Sequence, residues 1–478
     1  MSVSTNQLKN QHLLWRAAFG PMAENANELQ DVSQKELYRI LLKTSAKDPI
    51  PFNVATNLFG GMIKGVQDVG RLQNLSQDEK KLLRKQSVED LKNLNLTWLA
   101  EMINSEAQMR EKMSLFWHGH FACRVINIYF QQQLLNTIRD NALNNFGDLL
   151  REVSKSPAML SFLNNQQNKK QHPNENFARE VMELFTMGRG NYTEDDVKES
   201  ARAFTGWGFN LQGGFVDRPF AHDTGKKTFL GKTGNFNGDD IIDILLEQKQ
   251  TAKFITQKIY RFFVNDTPDT EKIEWLSNRF YQSRYDIKKL LTDIYTSEWF
   301  YSDGNIGNHI KSPVELLVGI RRLIPMELDK PEVQLLFERA LGQVLFYPPN
   351  VAGWPGGKNW IDSSALMLRM RIPQILTNTD DFVVKPKDDD DTMMGMEGLD
   401  KKPKAKQVNA TVDWNAVTKV FNNIPRESLM QKISEVVLQT KDKINQAILD
   451  KYIDKGARDA YIKTTLVELM STPEYQLC

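Results

Sequence analysis

Cysteine is scarce: Cys123 and Cys478 are the only two in 478 residues. That excludes a disulfide framework and any zinc site built from several thiolates. No sign of charge is in excess either, since 61 basic residues face 60 acidic ones and the net charge is +1. Such a balance argues against a chain-wide electrostatic footprint for nucleic acid or an anionic membrane, so neither is expected as a partner. A long apolar run is also lacking. The longest uncharged stretch, Ala340 to Gly357, is interrupted by Pro348, Pro349 and Pro355, whereas a membrane span needs about 20 apolar residues. The first residues, MSVSTNQLKNQHLLWRAAFG, show no basic start, apolar run and small-residue cleavage site. The expected location is therefore cytoplasmic, with export left open. No strand followed by GxGxxG and no P-loop pattern occurs, which argues against a dinucleotide fold and a phosphate cradle.

What is present is helical punctuation. Ser33 with Glu36, Ser76 with Glu79, Ser312 with Glu315 and Ser471 with Glu474 each fit the capping box, in which a hydroxyl and a carboxylate satisfy orphan amides at a helix start. Downstream, apolar residues recur at three and four, as in Ile255, Ile259, Phe262 and Phe263. The fold expected is all-α: one large multi-helix body with irregular Gly/Pro-rich loops and a helical C-terminal tail. Residues 385–411, KPKDDDDTMMGMEGLDKKPKAKQVNAT, hold no aromatic residue and charge blocks of both signs. They bury too little apolar area to offset ordering entropy and read as a disordered charged linker. It separates a main body at 1–384 from a helical segment at 412–478, which is expected to dock back because Val417, Val420, Phe421, Leu466, Leu469 and Met470 need covering.

Four stretches carry candidate chemistry. In Pro173 to Gly208, Asn174 caps a helix ending at Gly188, and Thr193 with Asp196 starts a second that stops near Gly206. At about 100° per residue Phe177, Val181 and Leu184 share the core face of the first helix, and Glu180 falls at its border, half buried. Arg179 and Glu183 sit one turn apart, as an ordinary ion pair would. In Phe116 to Phe121 the His-x-His pair of His118 and His120 suggests a metal, but on a helix the two imidazoles point to opposite sides, with His120 beside Met113 and Phe116. His222, Asp223, Lys226 and Lys227 lie in a polar, glycine-bearing loop suited to an imidazole–carboxylate ligand set, to an anion pocket, or to a plain turn. The fourth stretch, Gly342 to Trp360, fixes an irregular backbone with prolines and glycines and carries Tyr347, Trp354 and Trp360, whose flat faces suit a sugar or planar ligand, or pin the loop to its own core.

Seven blocks in order, HLLWRAAFGP, FWHGHFA, NENFAREVMELFTMGRGNYTEDDVKESARAFTGWGF, HDTGKKTFLG, KSPVELLVGIRRL, LGQVLFYPPNVAGWPGGKNWI and STPEYQ, resemble the bacterial family catalogued as domain of unknown function 1800. The resemblance spans nearly the whole chain and implies no catalytic role for any residue. Members are often encoded beside proteins resembling phosphatases and sulfatases, which points to a partner of that kind as association rather than mechanism.

Two readings of function follow. In the first, an enzyme gathers His120, Glu180, His222 and Asp223 as catalytic groups for acid–base or metal-assisted chemistry, including hydrolysis, with Arg179, Lys226, Trp207, Trp354 and Trp360 binding the ligand and one divalent metal as the cofactor to test. In the second, the same residues form buried networks of a helical scaffold or of a partner- or carbohydrate-binding protein.

Overall fold

A computed structural model describes residues 5–26, 28–55, 76–210, 212–377, 381–382, 406–440 and 446–478. Helix accounts for 62% of it and strand for 6%. The strands of the described residues pair only in twos, as in Trp207–Phe209 with Phe215–Asp217 and Lys227–Phe229 with Lys232–Gly234, so packed helices alone organise this all-α protein.

The helices that matter for the site are α1 (Thr5–Ala17), α2 (Gln77–Asn104), α3 (Gln108–His120), α4 (Glu175–Glu180, continued as a π turn over Val181–Thr186), α5 (Glu194–Ala203), α6 (Lys249–Phe263), α7 (Pro313–Leu323), α8 (Val333–Leu341) and α9 (Arg458–Met470). Reciprocal capping boxes start α2 at Ser76 and Glu79, α5 at Thr193 and Asp196, and α7 at Ser312 and Glu315. At Ser33 only the hydroxyl half forms, because Glu36 turns to Arg39. The box expected at Ser471 does not form, for its hydroxyl donates to the Val467 carbonyl in the last turn of α9.

Three groups of buried side chains make the core. The largest joins Met113, Phe116, Trp117, Phe177, Val181, Ile255, Ile259 and their neighbours. Another joins Leu94, Trp98 and Leu99 of α2 to Leu115, Val314 and Phe346. In the remaining one, Val417, Phe421, Leu466, Leu469 and Met470 pack with Trp15, Leu316, Ile320 and Phe337. At roughly 1.5–3 kcal/mol per large side chain fully buried, this docking of the C-terminal segment is a substantial part of the fold. Its last residues also fix the approach to α7, since the Cys478 amide donates to the His309 carbonyl at 2.8 Å and the Lys311 amide donates to the Gln476 carbonyl at 2.9 Å.

Of the segment at 385–411, residues 385–405 lie outside the described residues. Residues 406–407 pair with Asp381–Phe382, and Ala410–Val412 pairs with Met326–Leu328. Among the described residues no helix is long and apolar enough to cross a membrane.

Candidate functional site

Helix α3 is buried on nearly every side, including Glu111, Lys112, His118 and His120. A helix so enclosed must satisfy its polar groups internally, and its two histidines do so with different neighbours. His118 Nε2 accepts from the Phe346 amide at 3.1 Å, while burial pushes its pKa down to about 3, which keeps it a neutral acceptor. Phe346 holds a left-handed backbone at φ 68°, and this hydrogen bond helps to keep it there. His120 engages the opposite neighbours: Nε2 donates to the Phe185 carbonyl at 3.2 Å and Nδ1 accepts from Lys258 Nζ at 3.2 Å. The two imidazoles of the His-x-His pair therefore never face one ion.

The carbonyls that meet His120 and Lys258 come from the π turn after α4. A π turn advances each residue by less than the 100° of an α-helix, so Phe185 takes the core position expected for Leu184, which is only partly buried. In this last turn, before Gly188 at φ 78°, the Leu184 and Phe185 carbonyls accept from Lys258 Nζ, at 3.2 Å, and from His120. Helix-end carbonyls are orphan acceptors with partial negative charge, so they suit an amine. Desolvation nevertheless pushes the Lys258 pKa down to about 8, and it holds His120 well below its ordinary value, with the Lys258 charge adding to the effect.

His120 and Lys258 line a cavity of about 310 Å³, within the range of small-molecule sites. Leu115, Phe116 and Phe262 form apolar wall, Trp354 and Trp360 of the aromatic loop close it, and Arg261, Asp266, His309 and Glu315 supply further polar groups. The loop fits because of two glycines. A Cβ on Gly353, at φ 81°, would lie 2.4 Å from the Gly119 carbonyl, and one on Gly357, at φ 57°, would lie 2.8 Å from an Asp266 carboxylate oxygen. The loop is also tied at its start, where Glu338 accepts from the Leu345 amide at 3.3 Å and from Asn95 at 2.6 Å. Trp360 is 6% exposed, so it serves as wall and not as an open platform for a sugar.

Also on the cavity wall, Glu315 closes the α7 capping box by accepting from the Ser312 amide at 2.7 Å. It also pairs with the buried ammonium of Lys112 and lies 3.5 Å from His309 Nε2. Burial opposes its ionisation, but Lys112 and His309 outweigh this and hold the carboxyl well below the usual range. Burial, with Arg16 nearby, holds the His309 pKa below its usual value.

Other expected site residues lie elsewhere. Glu180 is half buried, and desolvation followed by Glu183 pushes its carboxyl up, but it is not part of the cavity wall. Arg179 binds Glu194 at 2.7 Å and Glu175 at 3.2 Å instead of Glu183, which accepts from the Tyr192 hydroxyl. Asp223 takes a two-pronged contact from Arg202, and His222 Nδ1 meets the Thr205 carbonyl at 2.9 Å. Lys226 is exposed, and its neighbour Lys227 is the one that folds in, onto the Asp223 and Gly225 carbonyls. Trp207 is buried against Phe204 and Phe177 under the Lys155 ammonium. Arg179, His222, Asp223 and Trp207 thus find partners within the α4–α5 pair and its hairpins, and none of the residues in this group lines the cavity. Among the described residues no three His, Cys, Asp or Glu side chains are placed to hold one metal ion.

Sequence reasoning passes over Lys258, Arg261, Asp266, His309 and Glu315. One signal was available for Lys258: at about 100° per residue it falls within roughly 60° of Ile255 and Phe262, on the apolar stripe of α6, where a lysine is out of place.

Fold and cavity together define an all-helical protein with a half-open, mainly apolar cavity lined by a desolvated lysine. The chain belongs to the DUF1800 family, described as a protein of unknown function, whose model matches residues 12–477. No curated protein and no solved structure matches it.

Proposed function

We propose that this protein is an enzyme acting on a small molecule in the cavity beside Trp354, with Lys258 as the reacting amine and His120 as the residue that positions it. The supporting observation is the bonding of Lys258 Nζ. The Leu184 carbonyl and His120 Nδ1, each at 3.2 Å, take two of its valences, and the third is shared between the cavity that Lys258 lines and the Phe254 ring, 4.8 Å from the amine. That valence is an N–H when the amine is charged and a lone pair when it is neutral. With a pKa near 8, both forms are populated near neutral pH, as a general acid–base or nucleophilic group requires. Both nitrogens of His120 are engaged, so it orients the amine and takes no proton from the ligand.

An activated ester, p-nitrophenyl acetate, tests this reading. The neutral amine attacks the ester carbonyl, forms an amide, expels p-nitrophenolate and gives up one proton to solvent. The native protein is expected to release the phenolate in a burst mapped to Lys258, lost in Lys258→Met. His120→Gln should shift the pH midpoint of the burst without removing it. A burst of equal size in Lys258→Met would overturn the proposal.

A further inference from the structure

The charged groups of the cavity wall are unequally free. Glu315 is consumed by Lys112, the Ser312 amide and His309, and burial keeps His309 below its usual pKa and so neutral near pH 7. That leaves Lys258, Arg261 and Asp266. Lys258 and Arg261 lie three residues apart on α6, hence on one face, and both line the cavity. Arg261 meets its carboxylate neighbour Asp266 only loosely, at 3.6 Å through Nε, beyond hydrogen-bond range for a fork that prefers two short parallel bonds. Asp266 lies close beside Gly357, where an added Cβ would come within 2.8 Å of its carboxylate oxygen. Outside the Glu315 cluster the cavity wall thus carries two cations against one anion, along with the rings of Phe116, Phe262, Trp354 and Trp360.

We infer that the ligand is a small carboxylate with a flat apolar body, its carboxylate bound by Arg261 with the Lys258 amine left free beside it, and its body between the aromatic walls. This names the substrate class of the site proposed above and rests on that reading. The fork of Arg261 matches a carboxylate bidentately, and the aromatic faces match a flat body.

Benzoate is the probe, with benzamide as the uncharged isostere and inorganic phosphate as the anion without an apolar body. Two measurements are made on the full chain: calorimetric titration of each compound, and the rate of Lys258 acylation in its presence. Benzoate is expected to bind and to slow acylation, and benzamide and phosphate to do neither. In Arg261→Gln the benzoate affinity should fall about tenfold, the loss expected for one charge-assisted contact. The inference is overturned if benzoate does not bind, if benzamide or phosphate binds equally well, or if Arg261→Gln leaves benzoate affinity unchanged. If benzoate binds as expected but Lys258 does not react, the role assigned to the amine fails while the carboxylate subsite stands.

Discussion

Lys258 Nζ stands 3.2 Å from Nδ1 of His120, and the same amine is 3.2 Å from the carbonyl of Leu184. A helix end, a neutral imidazole and a buried amine from three distant segments thus meet at one cavity wall. The imidazole tautomer follows from the backbone: because Nε2 donates to the Phe185 carbonyl, Nδ1 keeps the lone pair that receives Lys258.

The depressed pKa of Lys258 sets a pH dependence of stability. Its folded value of about 8 lies below the ordinary 10.5, so between those values the unfolded chain binds more protons and stability rises with pH; below 8 this contribution is flat at its least favourable. Compared with Lys258→Met, the native chain should gain roughly 2–3 kcal/mol between pH 7.5 and pH 10.5. Urea unfolding of both at the two pH values measures it, and a constant difference would count against a desolvated amine.

Glu338 gives the opposite slope. Burial pushes its pKa up to about 8, so between the ordinary 4.5 and 8 the folded chain keeps a proton that the unfolded chain releases, and stability falls as pH rises. Glu338→Gln keeps an acceptor for Asn95 and the Leu345 amide and should be the more stable protein at pH 8, by a few kcal/mol, with the gap closing toward pH 5. Thermal melts at the two values decide it.

How much of this the sequence carried depends on whether a pattern is local. The caps at Ser76, Thr193 and Ser312 are legible because hydroxyl and carboxylate lie three residues apart, and the tail was legible because Val417 and Leu466 had to be covered. The position of Phe185 was not, since a π turn breaks the regular spacing from which faces are read. The loop from Gly342 to Trp360 was legible as a shaped element, but that Gly353 sits on the Gly119 carbonyl depends on a contact across the fold. Asp223 and Arg179 look like site residues in one dimension, whereas Arg202 and Glu194 satisfy them in three.

Glycines test how the cavity is closed. Gly353→Ala places a methyl 2.4 Å from the Gly119 carbonyl at a positive φ, so it should cost roughly 1–3 kcal/mol and speed the acylation of Lys258 by loosening the loop. At Gly119 a Cβ meets nothing within 4 Å, so Gly119→Ala should leave stability unchanged or raise it by up to about 1 kcal/mol through helix propensity. Denaturant unfolding of the two variants checks the contrast.

The ion pair at the base of the cavity should be strongly coupled. Lys112→Met leaves Glu315 buried without its cation, which costs about 3–5 kcal/mol, whereas the double change Lys112→Met with Glu315→Gln should cost less than the single one. A double-mutant cycle by urea unfolding reads the coupling, and additive losses would contradict it.

The central claim, that Lys258 is a desolvated amine open to the cavity, is tested most directly by competitive acetylation of the native chain across pH 6–11, with each lysine read by peptide mass spectrometry. Lys258 should reach half of its maximal reactivity near pH 8, well below the ordinary lysine value of 10.5. A Lys258 whose labelling rises only near the ordinary 10.5, or that takes no label below the pH at which the chain unfolds, would contradict the account.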